Sequence, residues 1–276
     1  MSIGFVNNAK TVLLLGALMG LVIGVGYALG GPNAILPAVV IAVVMNFVAF
    51  FFSGTIAIKS MRGREVTGGK LYEMVDELRQ RGGLPMPKVY VCPHQAPNAF
   101  ATGRSPKHAA VAVTEGALQL LSRDELEGVM AHELAHVKNR DTLISTIAAT
   151  VGGLMGMLAY GLFLFGGNRQ GGNPLLAIVA VLAGAVGAAI IRSMISRSRE
   201  FVADADGAKI AGSPDGLIGA LRKLETYAKR IPMHNPNPAQ NNLFIIEPLT
   251  GGKTLSDLFA THPPTEKRVA ALMKAR

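Results

Sequence analysis

Polar and apolar positions along this chain alternate on two scales. On the long scale, four stretches hold no Asp, Glu, Lys or Arg: 11–30, 33–58, 142–168 and 170–191, of 20, 26, 27 and 22 residues. A helix rises 1.5 Å per residue, so about 20 residues cross a hydrocarbon core of roughly 30 Å. Each run is long enough. The pattern predicts a mainly α, integral membrane protein with four transmembrane helices, near 11–30, 34–58, 142–166 and 174–194. Pro37 and Asn46 in the second run are tolerable where neighbouring helices satisfy the backbone. The first run is longer than the 7–15 apolar residues of a secretory signal, and a second run follows closely, so it reads as a span.

On the short scale, Leu71, Met74, Val75 and Leu78 fall on one face. They predict a helix over 70–80, ended by Gly82-Gly83. Residues 88–92 alternate as a strand, and 98–102 and 109–113 read as two more, separated by a turn at 103–106. Ser122-Arg123-Asp124-Glu125 matches a capping box, which starts a helix at about 123 that runs through His136 toward the third span. Beyond the fourth run, 199–211 reads as helix, and Ser213-Pro214 caps another reaching about 231. Residues 234–242, rich in Asn and Pro, read as a loop, and 264–274 as a last helix. The organisation is therefore two spans in 1–58, a polar segment 59–141, two spans in 142–195 and a second polar segment 196–276. The two polar segments are expected to close on each other as one α+β lobe with a small β-sheet.

Composition and charge sharpen this. The chain is 50% hydrophobic and 16% charged, with a mean hydropathy of +0.35; soluble domains average about 25% charged. Disorder and a single soluble domain are both excluded. Of 27 Lys and Arg, 12 lie in 59–141 and 13 in 192–276, whereas the turns after the first and third runs share only Arg169. The positive-inside rule places both termini and both polar segments in the cytosol. The net charge of +9 suits a basic face against an anionic lipid bilayer, not a nucleic acid partner. The single cysteine, Cys92, cannot form an internal disulfide, which fits a reducing compartment. The spacing of Gly16, Gly20 and Gly24 suits close packing of helices within one chain more than a dimer face.

The candidate chemistry lies in the predicted helix after Ser122. His132-Glu133-Leu134-Ala135-His136 is H-E-x-x-H, a motif that a chain of this composition contains by chance only about 0.005 times. Spacing by four puts both imidazoles on one helix face, where they can hold one Zn²⁺ per chain. Glu133 is then the general base that takes a proton from the attacking water. A catalytic zinc takes a third protein ligand and keeps a fourth position open. Asp141 lies five residues past His136, about 140° round a continuous helix, and is unsuited to share the metal. The next acidic residue is Glu200, which starts Glu200-Phe201-Val202-Ala203-Asp204. Glu200 is the expected third ligand, and Asp204, one turn on, the group that binds a ligand histidine's other nitrogen. Asp206 is the competing assignment. Both ligand helices continue from predicted spans, so the site is expected close to the membrane surface.

At these residues the chain resembles the HtpX-like membrane zinc metalloproteases, relatives of the CAAX prenyl endopeptidases. The resemblance covers nearly the whole chain: two spans, H-E-x-x-H, two spans, then E-x-x-x-D. Asn98-Ala99-Phe100-Ala101-Thr102-Gly103 resembles the family's edge strand. Thr261-His262-Pro263-Pro264 with Arg268 resembles its C-terminal H-P-P-x-x-x-R. The resemblance implies a zincin-type protease lobe in the cell inner membrane that cleaves polypeptide substrates as a quality-control enzyme. It implies that 98–102 adds the substrate as a β-strand, with Asn98, Ala99 and Phe100 as contacts and a side-chain hydrogen bond from Asn98. It gives His262 the oxyanion and Arg268 the ordering of nearby carboxylates. The alternatives are a CAAX-type processing protease and a catalytically silent zinc-binding scaffold; Glu133 speaks against the latter, since structural zinc needs no base.

Overall fold

The computed structural model describes residues 32–141, 174–230 and 262–274, with six positions between Ala9 and Ile23, and gives the backbone alone for parts of 32–53, 174–192 and 228–230. The expected spans at 11–30 and 142–166 lie largely outside the described residues, as does the expected loop at 234–242. The chain divides into two compact units. One joins Met1–Phe50 to Ile144–Ser196, the other Phe51–Leu143 to Arg197–Arg276.

In the first unit, most of helix α1 (Pro32–Ser60) carries the second charge-free run, and the front of α5 (Pro174–Ala211) carries the fourth. Counting only residues whose side chains are described, no helix is long and apolar enough to cross a membrane. Along α1, Leu36, Val40, Val44, Phe47 and Val48 are exposed. Their spacing of three and four places them on one helix face.

The second unit holds a four-stranded mixed sheet, in the order β1 (Arg64–Val66), β2 (Lys88–Cys92), β4 (Ala110–Thr114), β3 (Ala99–Thr102). β1 pairs with β2 antiparallel, β2 with β4 parallel and β3 with β4 antiparallel. The apolar run of β4 is buried throughout, as a central strand requires. β3 is at the edge. Thr114 N–H donates to the Asn98 carbonyl at 2.9 Å. Period-two alternation then points the backbone of Asn98, Phe100 and Thr102 at β4. The N–H and C=O groups of Ala99 and Ala101 face the free edge.

Helix α2 (Lys70–Gly82) ends at Gly83, whose φ of 66° is the left-handed conformation that glycine adopts without cost. After a short α3 (Glu115–Leu120), α4 (Arg123–Lys138) begins with both hydrogen bonds of the Ser122/Glu125 capping box. Val129, Met130 and Leu134 of α4 are fully buried against α2, the sheet and α6 (Asp215–Arg230), each worth about 1.5–3 kcal/mol of transfer free energy. α7 (Thr265–Lys274) closes this core with Val269 and Leu272. A second cluster, Cys92, Phe100 and Ala112 with Ala57 and Met61, packs the other face of the sheet. Burial pushes the Cys92 thiol up to about 11, so the one cysteine is an inert strand residue.

Two glycines set how closely the helices approach. A Cβ at Gly128 would stand 2.3 Å from the Leu217 backbone nitrogen of α6. A Cβ at Gly207 would stand 2.8 Å from the Cα of His132. α5 therefore lies directly on the stretch of α4 that carries the histidines. The 199–211 segment is not a separate helix but the end of the 38-residue α5. Strand β1 and helix α3 carry too few residues for periodicity to announce them, and the sequence did not predict either. In the other direction, α4 ends at Lys138 instead of running on toward the third charge-free run: Asn139 caps it, and Arg140 turns the chain with a φ of 55°.

Candidate metal centre

His132 and His136 stand one turn apart on α4, with Nε2 atoms 3.1 Å apart and rings crossed at 82°. Glu200 reaches them from α5. Its Oε2 is 3.6 Å from His132 Nε2 and its Oε1 3.5 Å from His136 Nε2. Of the described residues, these three form the one group of histidine and carboxylate side chains arranged to hold a metal ion. A tetrahedral ion with ligands at about 2.0–2.1 Å sets its ligand atoms about 3.4 Å apart, and the three separations bracket that value. Glu200 Oε2 is buried without a well-formed hydrogen bond, although Arg268 Nη1 is 3.1 Å away. A buried anionic oxygen with spare acceptor capacity is what a cation would satisfy. The donor set, two imidazoles and a carboxylate, is that of catalytic zinc sites.

Each histidine has its own outer partners. His132 Nδ1 lies 3.0 Å from Asp204 Oδ1. Asp204 in turn takes both arms of the Arg268 guanidinium, at 2.9 and 2.6 Å. His136 Nδ1 pairs with Asp141 Oδ2 at 2.8 Å, and Arg199 donates to the other Asp141 oxygen at 2.5 Å. The sequence placed Asp141 about 140° from His136 on a continuous helix. The helix ends first, and the turn at Asn139-Arg140 folds Asp141 back onto the ring. Asp141 stays off the metal position, as expected, but it occupies His136. Arg199 was not foreseen. Asn139, a residue that favours helix ends, was the available signal for Asp141; Arg199 had none. Asp206 faces away, held by Asn139 Nδ2 at 3.1 Å and by Lys209.

Glu133 is buried between the two histidines in sequence, and the Ala101 N–H of β3 donates to its carboxylate. His262 Nδ1 lies 3.2 Å from Glu200 Oε2. The expected substrate contacts divide. Ala99 turns its N–H and C=O to the edge, and Ala101 its carbonyl, its N–H being given to Glu133. Asn98 is fully buried and its N–H donates to Thr114 Oγ1 at 2.8 Å, while the Phe100 side chain is in the second core cluster. Both spend their backbone on β4, so neither side chain lies along the open edge.

The charges follow from this packing. Burial works to lower the histidines, but the carboxylates beside them prevail: Asp204 and Glu200 raise His132, and Asp141 and Glu200 hold His136 well above the usual imidazole range. Burial works to raise Glu200 and Asp204. His262 and Arg268 hold Glu200 well below the usual carboxylate range, and Arg268 lowers Asp204. Burial raises Glu133, the direction a general base working near neutrality needs.

Known proteins resemble this chain. The model of peptidase family M48 matches residues 65–276. A protease HtpX homologue of Desulfatibacillum aliphaticivorans is 51% identical over 283 residues, covering 98% of this chain and 90% of the relative. One from Pyrococcus furiosus is 46% identical over 274 residues, covering 96% and 94%. The crystal structure of S. mikatae Ste24p shares the fold, with a TM-score of 0.56 at 19% identity, over 98% of this chain and 66% of that one. The chain belongs to peptidase family M48, and its chemistry is that of a metalloprotease.

Proposed function

We propose that this chain is a multi-pass zinc endopeptidase of the cell inner membrane that degrades misfolded or damaged membrane and cytosolic proteins. Four spans, near 11–30, 34–58, 142–166 and 174–194, would carry two cytosolic halves, 59–141 and 196–276, that close into one protease lobe. The charge-free runs and the exposed apolar face of α1 support the membrane reading, since a soluble monomer rarely exposes a continuous apolar stripe.

One observation carries the catalytic reading: His132, His136 and Glu200 converge beside Glu133, and Glu133 touches the free edge of β3. These three ligands would hold one zinc. Bound there, zinc would polarise the scissile carbonyl and acidify a water. The substrate backbone pairs with the N–H and C=O groups of Ala99 and the carbonyl of Ala101, which grip any extended chain without reading its side chains. That suits unfolded substrates. Glu133 takes one proton from the water as its oxygen bonds to the carbonyl carbon. The same carboxyl gives that proton to the amide nitrogen as the C–N bond breaks, leaving a carboxylic acid, which keeps the second proton of the water until it ionises, and an amine. His262 stabilises the oxyanion between these steps, an interaction worth about 2.7–4 kcal/mol where such donors are removed. Asp204 and Arg268 keep His132 and Glu200 oriented.

The test is cleavage of casein by the detergent-purified chain beside Glu133→Gln. The expected result is cleavage that is lost with a chelator, restored by zinc, and reduced at least about 10²-fold in the variant while bound zinc is unchanged. Equal cleavage by the variant would end this mechanism.

A further inference from the structure

A shallow cleft, open to solvent, flanks the metal centre on the His136 side. Its walls are the end of β3 with the following turn (Thr102, Gly103, Arg104) and the end of α4 (His136, Val137, Arg140). We infer that this cleft is the subsite for an acidic substrate side chain, read by Arg140 and Arg104. The inference rests on the peptidase reading above and names what that peptidase selects.

Three observations carry it. First, the cleft is basic and unbalanced. Among the described residues, no carboxylate lines it. The nearest in sequence, Asp141, already gives one oxygen to His136 and the other to Arg199. Second, both arginines stand at turn positions whose backbone is defined. Arg140 adopts a φ of 55°, a region that most residues avoid, and its side chain is exposed at the cleft. Arg104 follows Gly103, whose φ is 117° and where a Cβ would stand 2.2 Å from the His108 carbonyl. The Arg104 guanidinium lies 4.4 Å over the Phe51 ring, a cation–π contact that fixes the group and leaves its N–H rim free to bond.

Third, the position is right. A substrate strand on the free edge pairs with Ala99 and Ala101, and its side chains alternate between the two faces of the sheet. The residue toward the Thr102 end that faces α4 falls over this cleft. The cleft is open to solvent, so a carboxylate at the end of a substrate side chain can approach both guanidinium groups from outside without an enclosed pocket. A carboxylate there meets planar guanidinium donors of matching geometry; a lysine meets two like charges. Backbone pairing thus supplies breadth, and the arginines add preference at one position.

The test is cleavage-site profiling. The zinc-loaded full chain in detergent digests a mixed peptide library, and mass spectrometry reads the residues around each cut. Asp and Glu should be enriched at one fixed position within two residues of the scissile bond. A matched peptide pair differing only there should favour Glu over Lys by about tenfold in kcat/KM. Arg140→Glu should abolish the enrichment and bring Lys and Arg to that position, with Arg104→Glu giving the same reversal independently. Zinc content and Tm of each variant establish that it is folded.

A flat profile for the parent chain overturns the inference, as does a profile that neither substitution moves. Equally fatal is an effect of the arginine variants confined to vesicles of anionic lipid with the profile unchanged, since the cleft would then hold a lipid headgroup. A folded chain that binds zinc and cuts no peptide removes the peptidase reading itself, and this inference with it.

Discussion

The two histidines of the centre share one helix and the same chemistry, yet they are supported differently. His132 is 2% exposed, and its support comes from two distant stretches: Asp204 on α5 and Arg268 on α7. Arg268 also reaches Glu200, so one guanidinium ties two carboxylates to the site. His136 is 17% exposed, and its carboxylate, Asp141, comes from its own stretch five residues on. Arg199 backs that carboxylate from α5. One arm is therefore a long-range construction sealed from water, and the other a local turn at the rim of the open cleft. The sealed arm is stiff and intolerant of loss. The rim arm is where substrate and water come closest to the site.

The largest effect should come from breaking the sealed arm. Arg268→Ala removes the guanidinium that Asp204 and Glu200 share and leaves both buried carboxylates with histidine partners alone, a loss of about 3–5 kcal/mol that should drop Tm sharply and strip zinc. Arg199→Ala takes the guanidinium from one carboxylate instead of two and should cost clearly less in the same unfolding assay. Equal losses would erase the distinction between the arms.

Gly207→Ala tests the packing beneath both arms. The added Cβ meets the His132 backbone at 2.8 Å, and rigid overpacking of this kind costs about 1–3 kcal/mol. Thermal unfolding should register that cost, and zinc affinity should fall with it because α5 carries Glu200.

Substitutions that leave the arginines in place should act on the metal more gently. Asp204→Asn and Asp141→Asn each remove a partner that orients a ligand ring, which lowers metal affinity by about 10–100-fold. Asp204→Asn belongs at the upper end, because water cannot reach His132 to replace the lost partner. Competition with a chromophoric chelator measures both, and the reverse order would refute the role assigned to burial.

The smallest and most diagnostic effect is on pH. In the metal-free chain, His136 is held well above 6.5 and Glu200 well below 4.5. A raised histidine contributes stability that is full below its unfolded value and is lost as pH rises through the folded one. A lowered carboxylate contributes stability present above its unfolded value and lost as pH falls through the folded one. The chelated chain should therefore be most stable between about 4.5 and 6.5 and weaken above that window. Zinc needs neutral imidazoles, so the stabilisation it adds should grow over the same rise. Asp141→Asn should flatten the alkaline decline more than Asp204→Asn, since His136 is displaced further than His132. Tm against pH, with chelator and with zinc, reads both slopes.

Much of this was legible before any fold was known. The face of α2, the alternation of β2, the capping box at Ser122 and the two i, i+4 pairs, His132/His136 and Glu200/Asp204, all depend on residues close in sequence. Periodicity and caps are local physics, and a chain states them directly. The charge-free runs are legible for the same reason, since length and absence of charge are properties of a segment alone.

Tertiary structure decided the rest. Asp141 looked remote from His136 because a continuous helix was assumed, whereas the end of α4 at Lys138 and the turn at Arg140 bring them together. Arg199 joins the site only because Gly207 lets α5 lie against α4. The pairing of β3 with β4 turns the backbone of Asn98 and Phe100 inward and leaves the edge to the Ala99 backbone and the Ala101 carbonyl. The sequence by itself determined the local elements and the identity of the metal-binding residue types. Which residues support them, and which strand edge stays open, depended on contacts between separate elements, from the pairing of β3 with β4 to Asp204 and Arg268 against His132, where loop closure and packing, not local propensity, choose the partner.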